Sequence, residues 1–417
     1  MYKILLVDDS ESICTFLSQK IEDTIDVSVD IAHTFEEAKV LVEQNRDYFL
    51  ALLDVHLPDM NDTTMLDFMI ERNIPSIVMT ADFDTKVYQS FSKRNIVDYV
   101  LKESPESLNF IVSLISRVYQ NSKTKVLVID DSITVRSQLK YFLQSQLFQV
   151  ISANEPLEGL KVLELNSDIK IIIVDYKMPD LNGVELLKII RRNFSKNKLA
   201  VIGISGDESS SIAFLKHGAN DFINKPFIKE EFICRLNNTA EALANIDKLE
   251  EIANKDFLTK VSNRKYFFET AQIYFDDANE YNRPSAIAML DIDDFKSIND
   301  TYGHSIGDDV IKALAKLLTD NIKGRDIVAR FGGEEFVLYL QDISPGNASN
   351  FMKSICRKIA KCNVLISDTK QISFTVSIGL DTQRHDSLKE KINSADKLLY
   401  EAKNSGKNRV VDDLVFA

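Results

Sequence analysis

Arg330-Phe331-Gly332-Gly333-Glu334-Glu335-Phe336 joins two apolar runs of strand length, Ile327-Val328-Ala329 and Phe336-Val337-Leu338-Tyr339-Leu340. Two glycines between two strands predict a tight hairpin whose backbone needs positive φ or close approach to a ligand. The paired glutamates at its mouth carry the chemistry, because carboxylates facing a ligand need a cation or a proton to balance them. Taken alone, such a segment is an ordinary turn with solvated acids, so its company decides. The buried run Ala286–Leu290 ends in Asp291, and Lys296 and Asn299, three apart on a predicted helix, share a face. Asp291 and the Glu334–Glu335 pair can meet across neighbouring strands and hold one or two divalent ions. Lys296, Lys403 and Lys407 supply cations for a triphosphate. That is the make-up of a nucleotidyl-transfer site, in which a metal clamps phosphates and in-line geometry does the rest.

A second chemistry occurs twice. Lys3-Ile4-Leu5-Leu6-Val7-Asp8-Asp9-Ser10 recurs as Lys125-Val126-Leu127-Val128-Ile129-Asp130-Asp131-Ser132, and Leu52-Leu53-Asp54 recurs as Ile173-Val174-Asp175. Val78-Met79-Thr80-Ala81 answers to Gly203-Ile204-Ser205-Gly206, and Tyr99-Val100-Leu101-Lys102 to Phe222-Ile223-Asn224-Lys225. Within each copy, strand-length apolar runs alternate with helical patterns, which predicts a βα repeat and a parallel sheet. Each polar residue ends an apolar run, and the carboxyl ends of parallel strands gather at one edge. Asp8, Asp9, Asp54, Thr80 and Lys102 therefore converge, as do Asp130, Asp131, Asp175, Ser205 and Lys225. Three carboxylates in one pocket call for a divalent cation, and all-oxygen ligands suit Mg²⁺. A central aspartate beside that ion, a lysine and a hydroxyl form a phosphoryl-accepting site. One such set is matched by a helix N-cap and a solvated lysine; two in the same order are not.

Residues 1–121 and about 123–240 thus resemble the receiver domain of two-component response regulators. The resemblance implies that Asp54 and Asp175 accept phosphate, that Asp9 and Asp131 ligate Mg²⁺ with Asp8 and Asp130, and that the carbonyls of His56 and Lys177 complete the metal shell. It places Tyr99 and Phe222 at the aromatic switch position. The second copy keeps Lys225-Pro226 and Asn182-Gly183, whereas the first has Lys102-Glu103 and Asn61-Asp62. The short polar junction Gln120–Thr124 predicts that the two copies pack together. After it, Lys229–Asn254 reads as one helix, with Phe232, Leu236, Leu243, Ile246 and Leu249 forming an apolar stripe.

The 417 residues allow about three domains: 1–121, 122–246 with the connector helix, and 247–417. A hydrophobic fraction of 45% is that of a globular protein, and the net charge of −13 argues against nucleic acid as a partner. Cys14, Cys234, Cys356 and Cys362 lack metal-ligand spacing and fit reduced thiols. No stretch approaches the roughly 18–20 apolar residues of a membrane span. A cytoplasmic location without membrane contact is the expectation.

From Asp256 to Arg409 the motifs taken together resemble the GGDEF diguanylate cyclase domain in its GGEEF form. The fold class implied is α/β: two flavodoxin-like receivers with parallel five-stranded sheets, then an α+β domain with a mainly antiparallel, cyclase- or palm-like sheet. The resemblance puts Asp291, the Ile292 carbonyl and Glu335 on Mg²⁺ or Mn²⁺, with Glu334 helping to deprotonate the attacking 3′-hydroxyl. Asn299 and Asp308 are implied to read guanine, Phe295 and His304 to lie in the same substrate segment, and Lys296, Lys403 and Lys407 to hold phosphates. An inhibitory Arg-x-x-Asp pattern is altered here to Lys323-Gly324-Arg325-Asp326. Lysine lacks the planar fork that grips guanine, which predicts weak product inhibition. The reading for the whole chain is a bacterial response regulator that makes cyclic di-GMP from two GTP as a homodimer, phosphorylated by a sensor histidine kinase or phosphotransfer protein. The rival is an effector that binds GTP or cyclic di-GMP without turnover.

Overall fold

The computed structural model describes residues 2–45, 47–61, 64–80, 96–102, 104–322, 324–367 and 370–416. Lys323, Asp62, Ala81 and Glu103 lie outside the described residues. The chain divides into two compact units, Met1–Ile246 and Asp247–Ala417.

Unit one holds two five-stranded parallel sheets. The first has the order Val27–Ala32, Tyr2–Val7, Tyr48–Asp54, Ser76–Thr80, Asp98–Leu101. The second repeats it with Gln149–Ala153, Lys125–Ile129, Ile169–Asp175, Ala200–Ser205, Asp221–Asn224. Helices cover both faces, so central strands such as Ile4-Leu5-Leu6-Val7 and Ile171-Ile172-Ile173-Val174 are apolar at every position and buried throughout. Each such side chain contributes about 1.5–3 kcal/mol on burial. Side-chain caps start several of the helices. Thr34 accepts from Glu37 N, and Asn182 with Glu185 forms a reciprocal capping box.

The copies pack together, as the short junction predicts. Gln146 Nε2 donates to Val97 O at 2.7 Å, and Asn237 bridges Asn121 and Gln146 at 3.4 Å each. The stripe on helix Lys229–Asn254 divides: Phe232, Leu236 and Leu243 are buried in the second receiver core, whereas Leu249 is exposed.

Unit two is built on a six-stranded sheet ordered Ser262–Asn263, Ile327–Gly332, Glu335–Gln341, Ser285–Ile292, Val376–Asp381, Val410–Asp412. The inner pairs are antiparallel and the two edge pairs parallel. The segment Ile372–Gly379, whose alternating apolar residues predict one strand, is broken. Lys370–Ser373 pairs with Asn363–Ser367 in a separate ribbon, and Val376–Asp381 joins the main sheet. The break falls at Phe374–Thr375 because Thr375 is bonded elsewhere: its carbonyl accepts from Asp293 N at 2.9 Å, and its hydroxyl donates to the Asp293 carboxylate. Gly379 lies directly under helix Leu388–Asn404, where a Cβ would meet Ala395 O and Leu399 N at 2.1 Å. That contact seats the helix carrying Lys403 against the sheet.

Candidate active sites

The receiver residues converge as the repeat predicts. Asp8, Asp9 and Asp54 bring one carboxylate oxygen each within 4.8 Å of the others, and Asp130, Asp131 and Asp175 do the same. In each trio the first and third acids are buried and the second is exposed. Lys102 Nζ bonds Asp8 at 2.7 Å and Asp54 at 2.6 Å; Lys225 Nζ bonds Asp130 and Asp175 at 2.9 Å. The backbone beneath is copied too. Lys102 N donates to Thr80 O and Lys225 N to Ser205 O, both at 2.7 Å, which sets each lysine beside the strand bearing the hydroxyl. Ser10 N and Ser132 N each donate to the buried Asp8 and Asp130 carboxylates, at 2.9 and 2.8 Å. Burial raises the Asp54 and Asp175 carboxyls, opposed by their lysine bonds and reinforced by the charge of Asp8 or Asp130. Burial works against the Lys102 and Lys225 charges, but the carboxylate bonds prevail and raise both pKa values. An all-oxygen, acid-rich donor set with a single ammonium fits a hard divalent cation.

The copies differ around that shared centre. His56 lies in a short ribbon, His56–Leu57 with Met60–Asn61, and its N–H donates to Asp54 at 3.3 Å. Exposed Lys177 has no such ribbon around it; instead Gly183 N donates to Tyr176 O at 3.0 Å. A Cβ at Gly183 would lie 2.3 Å from the Asp175 carbonyl oxygen, so glycine is required for this approach. Phe222 is buried against Phe214 at 5.6 Å between ring centroids, whereas Tyr99 is only half-buried. Tyr99 also lines a cavity of about 320 Å³ together with Asp98, Arg117, Gln146, Lys229 and Asn237.

In unit two the hairpin forms where the glycines require it, with φ of +52° at Gly333. Register places Asp291 directly opposite Glu335 on the adjacent antiparallel strand. Burial raises the Asp291 carboxyl, Lys403 opposes that rise through a 2.8 Å bond, and the charges of Glu334 and Asp293 add to it. The Glu335 carboxyl is raised by desolvation and then by Asp291. Among the described residues, trios of acids within 4.8 Å occur only in the two receivers, so the acids of unit two are more loosely grouped. Two juxtaposed acids with raised pKa still make a donor pair that a divalent cation would neutralise.

Most of the other expected residues lie on the two helices that follow the Asp291 strand. Phe295–Tyr302 and His304–Asn321 are consecutive helices; Phe295 packs on the core while Lys296, His304 and Asp308 are exposed. The buried Oδ1 of Asn299 lacks a hydrogen-bond partner among the described residues, and a Cβ at Gly307 would meet that oxygen at 1.9 Å. The amide oxygen therefore fills space that only a glycine at 307 leaves free, which seats Asn299 against helix His304–Asn321. Lys407 Nζ bonds Asp294 at 2.5 Å. Lys403 and Lys407, expected to serve phosphates, are here paired with carboxylates. Asp326 accepts from Gln341 N at 2.9 Å, a local structural role.

Sequence reasoning missed two supports. Arg330 donates from Nε to Gly333 O at 2.8 Å and from Nη1 to Asp256 at 3.0 Å, and Asp256 also holds Thr259 N and Oγ1. This brace fixes the hairpin, and an arginine two residues before Gly332 is its sequence signal. The second is Asp293, bonded to Thr375, Ser377 and Asn408.

The response regulator receiver domain family matches residues 4–112 and 126–237, more than half of the chain. The chain belongs to that family. The diguanylate cyclase GGDEF domain family matches residues 253–409, so this response regulator carries two receivers followed by a GGDEF domain. It is similar to Response regulator PleD of Caulobacter vibrioides (strain NA1000), 25% identical over 454 residues covering 98% of each chain. Diguanylate cyclase A of Treponema denticola is 31% identical over 221 residues, 52% of this chain and 57% of that one. A solved two-component system response regulator/GGDEF domain protein is 37% identical, with a TM-score of 0.53, over 58% of this chain and all of its own. No described helix is long and apolar enough to cross a membrane.

Proposed function

We propose that this response regulator synthesises cyclic di-GMP from two GTP, with domains at 1–121, 122–246 and 247–417. The register of Asp291 opposite Glu335 at the Gly332–Gly333 hairpin carries the reading, and diguanylate cyclase relatives support it. Each output domain holds one GTP, so the working species is a homodimer with two sites face to face. The 3′-oxygen of one GTP bonds to the α-phosphorus of the other, the bond to the β-phosphate oxygen breaks and pyrophosphate leaves. Glu334 takes the hydroxyl proton. The reciprocal step closes the ring and releases the second pyrophosphate.

Asp291, the Ile292 carbonyl and Glu335, helped by Glu334, would hold Mg²⁺ or Mn²⁺. When bound, that ion neutralises phosphate charge and lowers the cost of the alkoxide. Asn299 and Asp308 read the guanine edge, a task that suits aspartate because it accepts from both N1–H and the amino group. Lys296, with Phe295 and His304 in the same segment, orients the triphosphate. Lys403 and Lys407 exchange their carboxylate partners for phosphate oxygens. In the receivers Asp54 and Asp175 take a phosphoryl group from a sensor histidine kinase or phosphotransfer protein. Asp8, Asp9, Asp130 and Asp131 would hold Mg²⁺ there, and Lys102, Lys225, Thr80 and Ser205 bind the phosphoryl oxygens. Tyr99 and Phe222 relay the change.

The test is incubation of purified protein with GTP and Mg²⁺, with and without acetyl phosphate or beryllofluoride. Cyclic di-GMP formation that rises with the phosphoryl donor or its mimic is expected. GTP binding without product would favour the non-catalytic effector.

A further inference from the structure

We infer that Asp293 is a positioning residue: its carboxylate clasps the strand end bearing Asp291 and Ile292 to the turn bearing Lys407. The inference rests on the cyclase reading above. Asp293 is buried, and its two oxygens take three bonds from two separate segments. Ser377 Oγ donates at 2.6 Å, Thr375 Oγ1 at 2.7 Å and Asn408 N at 2.9 Å.

These partners are not arbitrary. Ser377 is the cross-strand neighbour of Asp291, and Val376 that of Ile292. The Asp293 carboxylate therefore ties down the segment against which the expected metal-binding strand end is registered. Through Asn408 it also holds the residue after Lys407, while Lys407 itself bonds Asp294. The joined backbones are in a disfavoured conformation. Asp294 has φ of +55°, and Gly406, Lys407 and Asn408 follow at +110°, +61° and +46°. Three non-glycine residues in the left-handed region persist only where the surroundings over-determine them. The buried carboxylate is the common anchor. Its loss releases the strand end and the Lys407 turn together and leaves the Asn299–Gly307 contact, in which it takes no part, in place. Misplacement of reacting groups by about 1 Å costs on the order of 10²-fold in rate.

The test compares wild type, Asp293→Asn and the double variant Thr375→Ala/Ser377→Ala, which keeps the acid and removes its hydroxyl donors. Five quantities are read in the full chain: kcat and KM for GTP, the Mg²⁺ concentration giving half-maximal rate, hydrogen exchange at the Asn408 amide, and calorimetric titration of Mn²⁺ with a non-hydrolysable GTP analogue. Expected in both variants are a kcat lower by roughly 10- to 100-fold, a KM within about 3-fold of wild type, a raised Mg²⁺ requirement, weaker Mn²⁺ binding and faster Asn408 exchange. A general loss of folded protein would scale kcat alone and leave the metal requirement where it was. That result, or wild-type values throughout, would overturn the inference. A wild type that binds the analogue but forms no cyclic di-GMP would overturn the cyclase reading instead, and the inference with it.

Discussion

Asp291 is pulled two ways, by burial that disfavours its charge and by Lys403 that restores it. Glu335, across the register, is raised as well. Raised carboxyl pKa values mean the folded state holds these protons more tightly than the unfolded chain, so their contribution to stability falls as pH rises through the folded pKa. The same raised values oppose metal loading in acid, because only the carboxylate ligates. The Mg²⁺ needed for half-maximal rate should therefore climb as pH falls, starting above the pH at which an ordinary carboxylate protonates. Lys403→Met should move that acid limb further up, and a pH–rate profile at limiting Mg²⁺ reads it directly. An unmoved limb would mean that Lys403 does not tune Asp291. Replacing a proposed ligand outright is more severe: Glu335→Gln or Asp291→Asn should cut turnover by at least about 10²-fold while circular dichroism stays that of the wild type. Near-normal product from either would remove these carboxylates from the chemistry.

At the scale of elements, the Gly332–Gly333 hairpin and helix Leu388–Asn404 are held by contacts that admit little change. Gly379 lets that helix rest on the sheet, with helix backbone 2.1 Å from where a Cβ would be. Backbone cannot rotate aside as a side chain tip can, so the helix would have to lift. Gly379→Ala should destabilise the output domain by about 3 kcal/mol, the upper end of ordinary overpacking, and should displace Lys403 from Asp291. A urea midpoint unchanged from wild type would show that the helix can shift freely. The brace on the hairpin is more forgiving. Asp256→Ala strips one charged partner from Arg330 and leaves its bond to Gly333, for a cost of about 1–3 kcal/mol on the same urea measurement. An unchanged midpoint in Asp256→Ala would show that the Gly333 bond alone holds Arg330.

For the whole molecule, both receivers carry a complete acid trio and lysine, so wild type should take up phosphate at Asp54 and at Asp175. Intact mass of wild type, Asp54→Asn and Asp175→Asn after acetyl phosphate counts the sites. A position that never gains phosphate loses its half of the claim. Helix Lys229–Asn254 begins in the second receiver and ends in unit two, which makes Asp175→Asn the variant expected to lose more activation in a paired rate assay. The first receiver meets that helix non-covalently, through the Asn121–Asn237 side-chain bond and across the cavity that Asp98, Tyr99 and Arg117 line together with Lys229 and Asn237. Equal losses from the two variants would mean that this bonded seam transmits as well as a continuous helix.

The sequence by itself determined the two copies of the receiver, the parallel sheets and the residues gathered at their edges. A strand's apolar run and the polar residue ending it are adjacent in the chain, and parallel packing brings such ends together whatever else happens. The Gly332–Gly333 hairpin was legible for the same local reason. What only the tertiary structure decided is which distant group each side chain meets. Lys403 lies on Asp291, Arg330 on Asp256, and Asp293 among Thr375, Ser377 and Asn408. It also decided that the run Ile372–Gly379 breaks, that the stripe on the connector helix divides between core and surface, and that Phe222 is buried where Tyr99 is not. An isolated carboxylate, hydroxyl or lysine carries no mark of its partner in the chain; burial makes an unpaired polar group costly, and the partner is whichever group the fold brings within reach.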